Sequence, residues 1–196
     1  MKATTLKGKA MKRLMIMTMM LAMAGGMFAQ QAVEAEPATH SEGWTAFQFS
    51  LIFGPFLQWP DDSYTVRGWR WNLGYARCRD LTGLDLGIAN HCRGTVKGLQ
   101  FGVWNMATDN STGMQMMFCN HALAGLDGVQ LGLCYNLCRK KVYGLQFASY
   151  NYCGDVHGVQ LGFINVARIV NGIQIGLFNI NTEGPIPVFP IVNGCF

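Results

Sequence analysis

The sequence predicts an all-β fold, a solenoid built from repeat units of 14–16 residues, and three observations carry that expectation. One motif, Gly-apolar-Gln-apolar-Gly-apolar-apolar-Asn, recurs at a nearly constant interval. Inside the motif, apolar residues alternate with glycine and glutamine. Behind it, cysteine and alanine return at one fixed offset. A sustained period of this size marks a stacked array, and alternation over several residues marks a β-strand.

The units read GLDLGIAN from Gly83, GLQFGVWN from Gly98, GMQMMFCN from Gly113, GVQLGLCYN from Gly128, GLQFASYN from Gly144, GVQLGFIN from Gly158 and GIQIGLFN from Gly172. Their spacings are 15, 15, 15, 16, 14 and 14 residues. A weaker copy, GWRWNLGYA, begins at Gly68. Leu99, Phe101 and Val103 alternate with Gly98, Gln100 and Gly102, and no helical stripe persists. Each unit closes on Asn, a residue that tolerates turn geometry. At about 3.3 Å per extended residue, one unit closes a coil of about 50 Å perimeter. A strand, a turn, a short second strand and a second turn would fill it. Apolar positions are expected to stack into interior columns, and the terminal Asn residues to stack along one corner. An antiparallel meander, or a small outer-membrane β-barrel with one unit per strand, is the alternative arrangement. The alternating stretch is shorter than the 9–11 residues a membrane strand needs, which weighs against the barrel.

The segments around the array have their own signals. Residues 1–29 combine a basic start with the apolar run LMIMTMMLAMAGGMF and read as a secretory signal peptide, with cleavage after Ala29 or as late as Ala35. An uncleaved anchor is the alternative. Residues 30–45 form a linker, and residues 46–67, with the apolar FQFSLIF and the turn-forming WPDDS, an N-terminal β cap. The tandem repeats occupy residues 68–182. Residues 183–196 hold Pro185, Pro187 and Pro190, which cannot donate ladder hydrogen bonds and so suit a C-terminal cap at a sheet edge.

Charge narrows the function. The net charge of +4 is misleading, because five of the 15 basic residues lie in the leader. Residues 30–196 carry ten basic and 11 acidic side chains, which removes the electrostatic case for binding nucleic acid. The run Arg139-Lys140-Lys141 reads as a solvated turn.

The GLQFGVWN, GVQLGLCYN, GVQLGFIN and GIQIGLFN series, closed by PIPVFPIVN, resembles a family of exported bacterial surface-repeat proteins with a leader, a short β lead-in and tandem Gly-x-Gln-x-Gly-x-x-Asn units. The resemblance spans about residues 46–196 and implies a location at the bacterial envelope or surface, with no reaction attached. The chain departs from the pattern at Asp85, where Gln is expected, at Met117 and Ala148, where Gly is expected, and in its many cysteines.

Candidate chemistry lies in columns. Gln100, Gln115, Gln130, Gln146, Gln160 and Gln174 recur once per unit. Facing outward, they would make a polar strip for a glycan, a peptide strand or another copy of the chain. Facing inward, their amides would ladder from rung to rung, which is the preferred reading. With units aligned at their Asn, the offset column reads Cys78, Cys92, Ala107, Ala122, Cys138, Cys153, Ala167, Asn181. Cys78 with Cys92, Cys138 with Cys153, and separately Cys119 with Cys134, are neighbour pairs that could oxidise in an exported protein, or stack as small buried thiols; Cys195 is left over. His91 and His121 fall two units apart, too far to share a metal, and read as exposed turn histidines, as does His157; His40 lies in the linker. Asp61 and Asp62 read as turn residues, and Asp85 as the end of the Gln column. Trp104, Phe118, Tyr135, Tyr150 and Phe178, close before the Asn, read as core or corner packing, with a sugar-stacking ridge as the alternative. The chain lacks a nucleophile elbow, a Cys-x-x-Cys, a phosphate loop and a dinucleotide fingerprint, so no cofactor is expected. The reading is a non-enzymatic, exported structural or binding module; an envelope hydrolase would need a clustered acid, base or nucleophile.

Overall fold

The structure is a computed structural model that describes residues 43–51, 58–184 and 187–195. The expected leader, most of the linker and His40 lie outside the described residues. The described chain forms one ten-stranded sheet with no helix. The strands are β1 (Trp44–Ser50), β2 (Gln58–Trp59), β3 (Thr65–Cys78), β4 (Leu81–Cys92), β5 (Val96–Ala107), β6 (Ser111–Ala122), β7 (Gly125–Phe147), β8 (Tyr150–Leu161), β9 (Ile164–Asn181) and β10 (Val188–Cys195).

From β3 to β9 every pairing is parallel and joins one unit to the next. Gly83 lies opposite Gly98, Gln100 opposite Gln115, and Asn105 opposite Asn120. Each coil of about 15 residues therefore roofs the one before it, which makes a β-solenoid of about 7 turns. Parallel stacking of consecutive units excludes both the antiparallel meander and the up-and-down barrel, whose neighbouring strands run in opposite directions. Each coil is one long strand bent around the axis, with short links such as residues 93–95 and 108–110, instead of two strands and two turns. In β7 the strand continues for 23 residues without a break.

The ends change direction. β1 adds a parallel half-rung to β3, with Phe47 opposite Trp69, and β2 then pairs antiparallel with β1. At the other end β10 runs antiparallel along β9, with an irregularity at Pro190 between Phe189 and Ile191. A proline on this outermost strand removes a donor where a further strand would pair.

The interior overturns the expected polarity. Leu99, Phe101 and Val103 point outward, while Gln100, Asn105 and Ala107 are buried. A coil this narrow has room inside for one branched aliphatic per turn, such as Leu81 or Leu126, but not for the three apolar side chains of the alternating stretch as well. It accepts two glycines, two flat amides, one branched aliphatic and one small residue per turn. The apolar core is correspondingly thin. One cluster joins Val66, Leu81 and Val96 to Cys78, Cys92 and Ala107. A second joins Leu126, Val142, Val156 and Val170 to Ala122, Cys138, Cys153 and Ala167. Between them the aliphatic column is interrupted at Ser111, whose buried Oγ has no hydrogen-bond partner among the described residues.

Glycine is demanded where the coils approach most closely. Gly128 has φ +142°, and a Cβ there would overlap the Gly113 carbonyl oxygen. The same holds down the whole first-glycine column, from Gly68 to Gly172. At the second column a Cβ on Gly102 would lie 2.6 Å from Asn90 Nδ2 and 2.7 Å from the Gly87 carbonyl oxygen. Met117, in that second column, holds φ 122° and turns its side chain outward.

Candidate functional site: the ladders and the outward face

The Gln column is a hydrogen-bonded ladder inside the coil. Gln174 Nε2 donates to Gln160 Oε1, Gln160 to Gln146 and Gln146 to Gln130, each at 2.8 Å. Gln130 donates to Gln115 at 2.7 Å and Gln115 to Gln100 at 2.8 Å. Gln100 closes the series on Asp85 Oδ2 at 3.0 Å. All six glutamines are fully buried, so the outward strip for a glycan or peptide does not exist.

The ladder ends on charge. Asp85 receives Arg70 through both guanidinium Nε, at 2.8 Å, and Nη2. Arg70 Nη1 also donates to the His91 carbonyl at 3.1 Å. Burial works most strongly against the Arg70 charge, but the facing Asp85 carboxylate, together with Cys78 and Cys92 nearby, outweighs it and holds the pKa above the usual arginine value. Every glutamine donor points toward this carboxylate, so the partial charges along the ladder run downhill to it.

A second ladder runs the other way. Asn90 Nδ2 donates to Asn105, Asn105 to Asn120 and Asn120 to Asn136, each at 2.9 Å. The series continues through Asn151 and Asn165 to Asn179, and Asn72 begins it by donating to Asn90. The same amide nitrogens reach a backbone carbonyl of the next rung, as Asn105 does to Met116 O at 2.7 Å. Asparagine therefore closes each unit because one short amide satisfies both the ladder and the bending backbone.

The cysteines are free thiols. Cys78 lies opposite Cys92, and Cys138 opposite Cys153, as the offset column predicts. The contact with Cys138, together with burial, pushes the Cys153 thiol up. Cys119 and Cys134 are not in register: Cys119 lies opposite Tyr135, and the extra residue of the 16-residue unit intervenes. Burial, with Cys134 nearby, pushes the Cys119 thiol up to about 12. So raised, Cys153 and Cys119 are poor nucleophiles. Cys195 sits on β10 opposite Gly172 and is half-buried.

His91 and His121 are buried, not exposed turn residues. His91 Nδ1 meets the Tyr75 hydroxyl at 2.7 Å, and burial with Arg70, Arg77 and Arg93 nearby lowers its pKa to about 3. His121 Nε2 meets the Tyr135 hydroxyl at 2.6 Å, its ring lies 4.8 Å from Trp104, and burial with Arg139 lowers its pKa to about 4. Met106 occupies the rung between them. His157 is half-buried and stacks on Tyr143 at 4.7 Å. Asp62 holds Arg77 and Arg93, and Asp61 accepts from the Ser63 backbone, in keeping with turn roles. Of the five aromatics, Tyr135 is buried and Trp104 packs at the corner, whereas Phe118, Tyr150 and Phe178 are exposed. Among the described residues there is no group of three or more His, Cys, Asp or Glu that could hold a metal ion.

What the coil presents instead is an outward apolar face. On every rung from β3 to β9, three outward positions lie between the first glycine and the residue before the Asn corner. All hold apolar residues except Ser149. No charged residue occurs among them. Sequence reasoning saw these residues but placed them indoors. The signal that could have placed them outside is the pair of glycines on the opposite side of the alternation, which leaves too little interior for bulk. No family model, curated protein or solved structure matches the chain.

Proposed function

We propose that the protein is an exported, non-enzymatic structural or binding rod of the bacterial cell envelope. The observation that carries this reading is the repetition of one surface along the solenoid: the same three outward positions, rung after rung, on a coil clamped by two amide ladders. Such a body presents an extended, preformed surface at little conformational cost. The groups that could do acid, base or nucleophilic work support the reading by their placement. His91, His121 and the paired thiols are buried, and Asp85 is occupied by Arg70. The leader composition supports export.

Fractionating cells that express the full chain, followed by N-terminal sequencing, tests the proposal. The expected product is a chain beginning at Gln30 or Glu36 in the envelope fraction. An unprocessed chain in the cytosol overturns it.

A further inference from the structure

We infer that the outward apolar face is the dimerisation surface of this protein, covered by the same face of a second copy packed sheet against sheet with the two rods antiparallel. Where the protein resides does not enter this inference, so its test and the export test fail separately.

The size of the face comes first. The eight rungs from β3 to β9, at about 4.8 Å spacing, give a length of about 34 Å, and five residues at about 3.3 Å give a width of about 17 Å. That is about 570 Å² per copy, or about 1,150 Å² in a two-copy contact, above the roughly 1,000 Å² that a specific interface clears. An apolar patch of this size stands at the upper end of what a soluble monomer leaves in water. The exposure is real at the side-chain level: Leu133 is 62%, Phe163 63% and Leu177 60% exposed.

Shape selects the occupant. Among the described residues the face is a run of paired strands with no helix. A second sheet of the same length meets it face to face. The relief also has a direction. Trp69 and Trp71 are bulky at the β3 end, whereas Ile173 and Ile175 are smaller at the β9 end. Antiparallel packing sets tryptophans against isoleucines and keeps the sheets evenly spaced; parallel packing would set tryptophan on tryptophan. The two-fold axis then falls between β6 and β7, where Met116 faces Leu131 on the next rung. Methionine at the axis adapts to its own image. The contact is isologous, each face consuming the other, so it closes as a dimer instead of a fibre.

The test is sedimentation velocity and equilibrium of the full chain in detergent-free buffer, with Leu131→Arg, Leu133→Arg and, in an exposed turn away from the face, Asp109→Arg. Far-UV circular dichroism verifies that each variant stays folded, as outward positions allow. A dimer at micromolar concentration is expected, weakened at least about 100-fold by either face variant through a desolvated, unpaired charge, and unchanged by Asp109→Arg. Vesicles of phosphatidylethanolamine and phosphatidylglycerol supply the competing arm. A monomer that floats with them places lipid on the face and overturns the inference. A monomer that stays in the aqueous phase, or a dimer that both face variants leave intact, overturns it as well.

Discussion

Replacing Gln130 with leucine tests the amide ladder at its middle. Gln130 donates to Gln115 Oε1 at 2.7 Å and accepts from Gln146 Nε2 at 2.8 Å. Leucine fills a similar volume but leaves both partners buried and unpaired. Each orphaned group costs about 1–3 kcal/mol, and the apolar transfer of leucine returns about 1 kcal/mol, so the net loss is about 1–5 kcal/mol. For a domain of roughly 150 residues, a central value of about 3 kcal/mol lowers Tm by about 6–12 °C. Gln174→Leu is the internal comparison. Within the column it orphans Gln160 Oε1 alone, and its other two hydrogen bonds, to the Ile180 carbonyl at 3.3 Å and from Asn193 at 3.4 Å, are long and lie at the partly buried end of the ladder. Urea and thermal unfolding followed by far-UV circular dichroism read the two variants side by side. The reasoning fails if Gln130→Leu unfolds within about 0.5 kcal/mol of the parent chain, or if Gln174→Leu costs as much as Gln130→Leu.

Four further outcomes follow from the same interior. Gly128→Ala, with its Cβ driven against the Gly113 carbonyl in a left-handed backbone, costs about 2–5 kcal/mol, read as loss of soluble folded protein or a sharply lowered urea midpoint. Asp85→Gln alone leaves Arg70 buried without its counter-ion and costs about 3–5 kcal/mol, whereas the double change Arg70→Gln with Asp85→Gln extends the glutamine ladder and recovers most of that loss in a double-mutant cycle. Ser111→Val removes an unpartnered buried hydroxyl and joins the two apolar clusters, raising stability by about 1–2 kcal/mol in the same assay. Acid destabilises the fold. His91 and His121 have folded pKa values of about 3 and about 4, below the ordinary histidine value, so below about pH 6.5 the unfolded chain binds protons that the folded chain refuses. Their contribution is full above that pH and is lost as pH falls toward 4 and 3. A urea midpoint measured from pH 7 to pH 4 should fall, and His91→Gln with His121→Gln should flatten the slope.

The sequence by itself determined the array. A fixed interval, alternation within each unit and an Asn at each close leave few arrangements besides a stacked coil, and the offset column correctly set Cys78 beside Cys92 and Cys138 beside Cys153. The end of the glutamine ladder at Asp85 was legible too, because a lone carboxylate in an amide column has an obvious acceptor role. Only the tertiary structure decided which side of the alternation faces in. Period two is symmetric: it separates Leu99, Phe101 and Val103 from Gly98, Gln100 and Gly102 but does not say which set is inside. The usual rule, apolar inward, assumes an interior wide enough to take the side chains. Here the stacked backbones at the glycine column leave a narrow core that laddered amides fill along this stretch, so the apolar set turns outward. His91 and His121 turn indoors to the Tyr75 and Tyr135 hydroxyls, and the extra residue before Tyr135 slips Cys119 out of step with Cys134. Sequence spacing counts residues along a chain, and the closing diameter of a coil is a property of the chain wrapped on itself.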